Sequence, residues 1–229
     1  MKNIIKISGC ALLLIVIVTS CLKKNGEVIT KENLKKVLTQ YGKDNPETGG
    51  IIETGFGTMK INLYEDTPLH RANFIKLIKE NYYDDAEFYR IVNGFVIQGG
   101  DLQKTLNYFI PAEFNPKYFH KKGALAMARS DENNPEMESS ATEFYIIHGG
   151  RYSDWNIDED AKNNGLTLTP EQRQTYLTLG GDMSLDQKYT VFGEVIEGFD
   201  VIDKIASVKV YSGEKPLKKV PFKISVANN

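Results

Sequence analysis

The chain has 229 residues, 41% hydrophobic and 25% charged, the mix of one folded domain with an appendage. This excludes a disordered tail, a polytopic membrane protein and a collagen-like fibre, and a net charge of −2 leaves no basic footprint for nucleic acid. Two cysteines are too few for a disulfide scaffold or a four-cysteine zinc site.

The first element is an address. Lys2 and Lys6 make a positive start, residues 11–18 (ALLLIVIV) are an unbroken apolar run, and Thr19, Ser20 and Cys21 follow. That is the layout of a secretory signal peptide. A spanning helix needs about 20 apolar residues, and this run is far shorter. Val18-Thr19-Ser20-Cys21 resembles a bacterial lipobox, in which the cysteine is lipidated and becomes the new N-terminus. Ordinary cleavage and a retained anchor helix are the alternatives. The expectation is a signal peptide over residues 1–20 and a lipid on Cys21. The protein is then anchored to a membrane of the bacterial cell envelope, facing the periplasm, rather than spanning it. Cys10 leaves with the leader, so the mature chain has no disulfide. Losing Lys2 and Lys6 takes the basic side chains from 28 to 26 against 30 acidic ones, a net of −4.

Residues 21–49 read as the lipidated end, a polar tether and a short helix. Thr30 is placed to cap the helix, Leu34, Val37, Leu38 and Tyr41 share one face, and Gly42 is placed to end it. The body spans residues 50–229. Ile51-Ile52-Glu53-Thr54, Gly55-Phe56-Gly57 and the stretch 58–64 predict a hairpin. Asp66-Thr67-Pro68 starts a helix with a capping side chain and a proline in the first turn. Short strands are predicted near 88–91, 95–98, 124–128, 144–147, 190–195 and 222–226, and a helix over 199–205. Many short strands with few helices suggest a closed barrel with helices over its ends.

Three histidines, His70, His120 and His148, are widely spaced and form no metal motif. Neither a phosphate-binding lysine loop, a dinucleotide fingerprint nor a nucleophile elbow occurs. What remains is Arg90 in the stretch from Phe88 to Asp101 (FYRIVNGFVIQGGD). Period-two alternation puts Arg90 and Val92 on one strand face, Gly94 permits a turn, and Phe95, Val96 and Gln98 return beside it. Spacing leaves open whether Arg90 belongs to a site or to a surface ion pair.

This block resembles the signature of the cyclophilins, the peptidyl-prolyl cis-trans isomerases. The resemblance continues in Thr67-Pro68, Asn73-Phe74, the run 123–129 (GALAMAR), Glu143-Phe144-Tyr145-Ile146, Leu185-Asp186, the run 189–193 (YTVFG) and the run 197–205 (EGFDVIDKI), in the family's order over about residues 50–226. It implies a mainly β fold: a closed antiparallel barrel of about eight strands capped by helices. It also implies an enzyme that needs no cofactor and no metal. Its clients are proline-containing polypeptides, and the default state is a monomer. The barrier to X-Pro rotation is about 18–20 kcal/mol. In the twisted amide the proline nitrogen regains a lone pair, which a fixed guanidinium can stabilise.

Carried over by position, Arg90 matches the catalytic arginine and Gln98 the glutamine beside it. Phe95, Val96, Tyr145 and Leu185 match the apolar floor for the proline ring. Ala128 and Arg129 match the edge pair that bonds the client backbone, and Tyr189 lines the wall. Relatives commonly carry methionine for Val96, asparagine for Arg129, histidine for Tyr189, and Ser-Gln-Phe-Phe for Thr142-Glu143-Phe144-Tyr145. Glu143 is the departure that matters: it could pair with Arg90 and orient it, neutralise it, or, if buried and unpaired, stand protonated. A second departure is a long insertion, about 149–183. In it Asp154, Asp158, Glu159 and Asp160 form an acidic patch, Thr169-Pro170-Glu171 opens a helix, Gly180-Gly181 closes it, and Trp155 is expected as a packing anchor. The reading is an isomerase of X-Pro bonds that assists folding of exported proteins. The alternative is a chaperone or scaffold that holds proline segments with weak or no turnover.

Overall fold

The computed structural model describes residues 28–100 and 104–227. The expected signal peptide with Cys10, Cys21, residues 22–27 of the polar tether and Asp101 lie outside them. The first helix, α1 (Leu34–Asp44), buries Leu34, Leu38 and Gly42. Asn33, not Thr30, holds its N-cap position, and the Asn33 side chain turns back to accept from the Thr30 N–H. Gly42 does not end α1. A Cβ there would lie 3.1 Å from the Ala72 Cβ, so the glycine lets α1 press against the next helix.

A hairpin of β1 (Gly49–Thr54) and β2 (Gly57–Leu63) turns through two residues, with Gly57 at φ +133°. Helix α2 (Pro68–Lys79) begins as expected, but Thr67 caps nothing with its side chain. Glu113, far away in sequence, does so: its carboxylate accepts from the Leu69 and His70 N–H groups, each at 3.0 Å. An anion at a helix N-terminus is stabilised by the exposed amides and the dipole. Strands β3 (Glu87–Val92), β4 (Val96–Gly100), β6 (Ala124–Met127), β8 (Phe144–Ile147), β9 (Val191–Glu197) and β10 (Phe222–Ala227) fall where the short strands were expected. So does α5 (Phe199–Ala206). Two-residue strands β5 (Phe109–Ile110) and β7 (Ser139–Ser140) pair with each other and carry no period for sequence to reveal.

The sheet runs β10-β1-β2-β9-β6-β8-β4-β3, antiparallel throughout. It curls into an open half-barrel rather than the expected closed barrel. The edges β3 and β10 meet only over the isolated Glu87–Pro221 bridge, with the Phe88 N–H on the Val220 carbonyl at 2.9 Å. Pro221 explains the gap, because it brings no N–H to a ladder. Side chains close the seam instead: the Phe88 and Phe222 rings are 4.7 Å apart, and Gly99 leaves room for the Phe222 ring.

β6 and β8 are buried on both faces, so they read as unbroken apolar runs. Leu125, Met127, Phe144 and Ile146 join the main core with Phe74, Phe88 and Phe192. Ala124, Ala126, Tyr145 and Ile147 face the other way, into a smaller apolar cluster with Val96 and Val191. Residues 149–183 add α3 (Ile157–Asn163) and α4 (Pro170–Thr178) around a core of Ile157, Ala161, Tyr176 and Met183. Thr169 and Gln172 form a reciprocal capping box on α4. Trp155 is not a packing anchor: it is 85% exposed. Its loop is gripped by Arg173, which binds Asp154 and Asp158 at 2.8 and 3.0 Å, so those two acids are paired rather than free.

Candidate active site

The outer apolar cluster supplies a floor, and the strand register sets what stands on it. Arg90 pairs with Gln98, Gln98 with Tyr145, Tyr145 with Ala126 and Ala126 with Val191, a row across five strands on one sheet face. Arg90, Phe95, Val96, Gln98, Ala128, Arg129, Tyr145, Leu185 and Tyr189 all line one cavity of about 240 Å³. Of the residues expected at the site within the described chain, Glu143 alone is missing from its walls. A larger cleft of about 840 Å³ opens beside the stacked Tyr64 and Tyr118 rings, but charged groups such as Asp66, Lys117 and Glu171 dominate it.

Arg90 is held at two points. Its Nε donates to Glu214 at 2.6 Å and its Nη1 to the Gln98 Oε1 at 3.2 Å, with the guanidinium 5.7 Å from the Phe95 ring centroid. The carboxylate on Arg90 is therefore Glu214, which sequence reasoning did not single out, and not Glu143. Glu143 reaches Arg90 only through a relay. The Tyr89 hydroxyl donates to Glu143 at 2.8 Å, the Gln98 Nε2 donates to the Tyr89 oxygen at 2.6 Å, and Gln98 accepts from Arg90. Burial, then the Glu143 charge, holds the Tyr89 hydroxyl well above its usual value, so it stays a donor. A bulge makes the relay possible. The β3–β4 register skips Tyr89, so Tyr89 and Arg90 both stand opposite Gln98. Strict alternation would have sent Tyr89 to the opposite face.

The residues over the fold and cavity match the family model "Cyclophilin type peptidyl-prolyl cis-trans isomerase/CLD" across 51–226. The chain belongs to the cyclophilin-type peptidyl-prolyl cis-trans isomerase family. A Staphylococcus saprophyticus protein assigned by name to these isomerases is 32% identical over 197 residues, covering 80% of this chain and 95% of that one. A Staphylococcus aureus protein of the same name is also 32% identical, over 74% of this chain and 86% of its own. Among solved structures, a Cryptosporidium parvum cyclophilin determined in the presence of the dipeptide Ala-Pro superposes with a TM-score of 0.59. It is 23% identical and covers 79% of this chain and 99% of that one.

This cyclophilin departs from expectation at its edge pair. The Ala128 N–H donates to the Glu143 carbonyl and its own carbonyl accepts from Ser140, both at 2.8 Å, so its backbone is already engaged. The Arg129 side chain turns to structure. It donates to Asp131 at 2.7 Å and to the Lys188 carbonyl, and lies 4.4 Å over the Tyr189 ring. Tyr189 in turn meets Tyr145 edge-on at 6.1 Å.

The floor has a buried support that the sequence did not announce. The Tyr145 hydroxyl lies 3.1 Å from the His120 Nε2, and the His120 Nδ1 lies 2.8 Å from the Asp186 Oδ1. Asp186 also accepts from the Tyr176 hydroxyl at 2.7 Å. With the imidazole proton assigned to Nδ1 by the carboxylate, Nε2 is left to accept from Tyr145. Burial keeps that tyrosine protonated. The chain of bonds ties the cavity floor to α4 of the insertion. His120 and Asp186 are 66 residues apart, so only the fold unites them.

Proposed function

We propose that this cavity catalyses rotation about X-Pro bonds in exported polypeptides, with Arg90 as the catalytic group. The observation that carries the reading is a guanidinium anchored at one end of a small apolar floor. A proline ring fits against Phe95, Val96, Tyr145 and Leu185. Arg90, set by Gln98, donates to the amide as conjugation is lost, and a partly dry cavity strengthens that donation. The reaction breaks no covalent bond, so no nucleophile is called for. With Ala128 engaged inside the fold, the client backbone pairs with Arg129. Arg90→Ala, in a protease-free isomerisation assay on a short X-Pro peptide with residues 22–229, is expected to lower kcat/KM by about 10²–10³-fold, the loss typical of a preorganised donor. Peptide that still binds but does not turn over in the native protein would point instead to a holding module. Unchanged activity in the variant would sink the mechanism.

The folding of exported clients rests on the leader and on Cys21, which would carry the lipid. Cells fed a tagged fatty acid should label the native protein. Cys21→Ser should abolish the label and move the protein from the membrane to the soluble fraction. Persistent labelling would overturn the anchor.

A further inference from the structure

Glu214 sits in the connection between α5 and β10, on a turn whose own bonds are complete. Tyr211 donates to the Lys215 carbonyl at 2.8 Å, Glu214 to the Tyr211 carbonyl at 3.0 Å, and a bridge joins Val210 to Pro216. Glu214 takes φ +64° there, in the left-handed region where an L residue with a long side chain is disfavoured. Glycine would meet the same turn without strain. A strained backbone persists where the surroundings hold it, and two contacts do so here. The Glu214 carbonyl accepts from the Ile91 N–H at 2.9 Å, beside Arg90 on β3, and the Glu214 carboxylate accepts from the Arg90 Nε at 2.6 Å. The carbonyl bond would survive any side chain. The carboxylate bond needs an acid.

We infer that Glu214 is the positioning residue for Arg90. Its carboxylate fixes the Nε edge of the guanidinium while Gln98 fixes Nη1, so the plane of the fork is set before a client arrives. A guanidinium offers five N–H groups in a rigid plane. Two anchors on one plane remove the rotation that would otherwise have to be frozen during each turnover. The exposure of the pair, 35% for the Arg90 side chain and 42% for that of Glu214, makes it a weak contributor to stability. Its effect is therefore expected in catalysis, in the opposite sense to its effect on the backbone. The inference rests on the isomerase reading above.

The test compares Glu214→Gly and Glu214→Gln with the native protein over residues 22–229. Glu214→Gly accepts the left-handed turn and should melt no lower than the native protein. It should lose about tenfold in kcat with KM little changed, because the contact serves the twisted state. Glu214→Gln keeps an acceptor and should lose about threefold. The Arg90 Nε–H resonance, assigned by its disappearance in Arg90→Ala, should move and exchange faster with water in Glu214→Gly. Native kcat in Glu214→Gly, or a gain, would overturn the inference; a gain would mean that the carboxylate restrains Arg90 instead. If the native protein has no activity, the isomerase reading itself fails, whatever the variants do. An active native protein with an indifferent Glu214→Gly removes Glu214 alone.

Discussion

Glu143 stands where a charge near the Arg90 guanidinium, the proposed catalytic group, could either help or compete, and its partners decide between these. It accepts from Tyr89, Tyr89 from Gln98 and Gln98 from Arg90, so its carboxylate stands three hydrogen bonds away from Arg90. Glu143→Gln keeps an oxygen for the Tyr89 hydroxyl and changes a charged acceptor into a neutral one. The expected change in kcat/KM is under about fivefold, since that difference is worth about 1 kcal/mol at most on a contact outside the reacting centre. A gain of tenfold or more in the same assay would restore Glu143 as a competitor for Arg90. Spacing could place Arg90 beside Gln98, because they lie on the two arms of one short hairpin. It could not place Glu214, which lies 124 residues from Arg90 and faces it only because β3 and the α5–β10 connection are neighbours.

At the scale of elements, the β3–β4 turn carries Phe95 to the cavity and is held by His148. The Gly94 N–H donates to the His148 Nδ1 at 2.8 Å, and the His148 N–H donates to the Phe95 carbonyl at 2.9 Å. Burial, and then the Lys122 ammonium, push the His148 imidazole below its usual value; Asp203 opposes them. A depressed value in the fold means that the unfolded chain takes up the proton first as pH falls. Stability is then full above the ordinary histidine value of about 6.5 and declines as pH drops through it toward the folded value. The fall in melting temperature between pH 7.5 and pH 5 should be smaller in His148→Asn than in the native protein. Equal falls would remove His148 from the account. The α2 cap is another result of assembly: Asp66-Thr67-Pro68 marks the start correctly, yet Glu113 satisfies the amides.

Across the whole molecule, the 149–183 segment and the half-barrel are one structure rather than a domain and a decoration. The path Tyr145–His120–Asp186–Tyr176 runs buried from the cavity floor into α4. Gly181 packs against the His120 carbonyl so closely that a Cβ would lie 2.3 Å away. Tyr176→Phe removes one donor and leaves an Asp186 oxygen buried without it. The expected loss is about 1–3 kcal/mol in a urea melt followed by circular dichroism, the usual cost of an unmet buried acceptor. A variant as stable as the native protein would mean that water replaces the hydroxyl and that the insertion is energetically separate.

What the sequence determined by itself was local and periodic. Short apolar and alternating runs placed six of the sheet's strands and its hairpin, a Pro-led turn placed α2, and the Arg90-to-Gln98 stretch carried both the candidate site and the family resemblance. The tertiary structure decided whatever depends on residues brought together from afar or on a broken period. The Tyr89 bulge re-aims a side chain that alternation would turn away. Pro221 leaves the sheet open at one seam. Glu214 on Arg90, Glu113 on α2 and His120 under Tyr145 are contacts over 25 to 124 residues. A sequence states the period of each element; which side chains meet across the gaps follows only once the sheet has curled and its register is set.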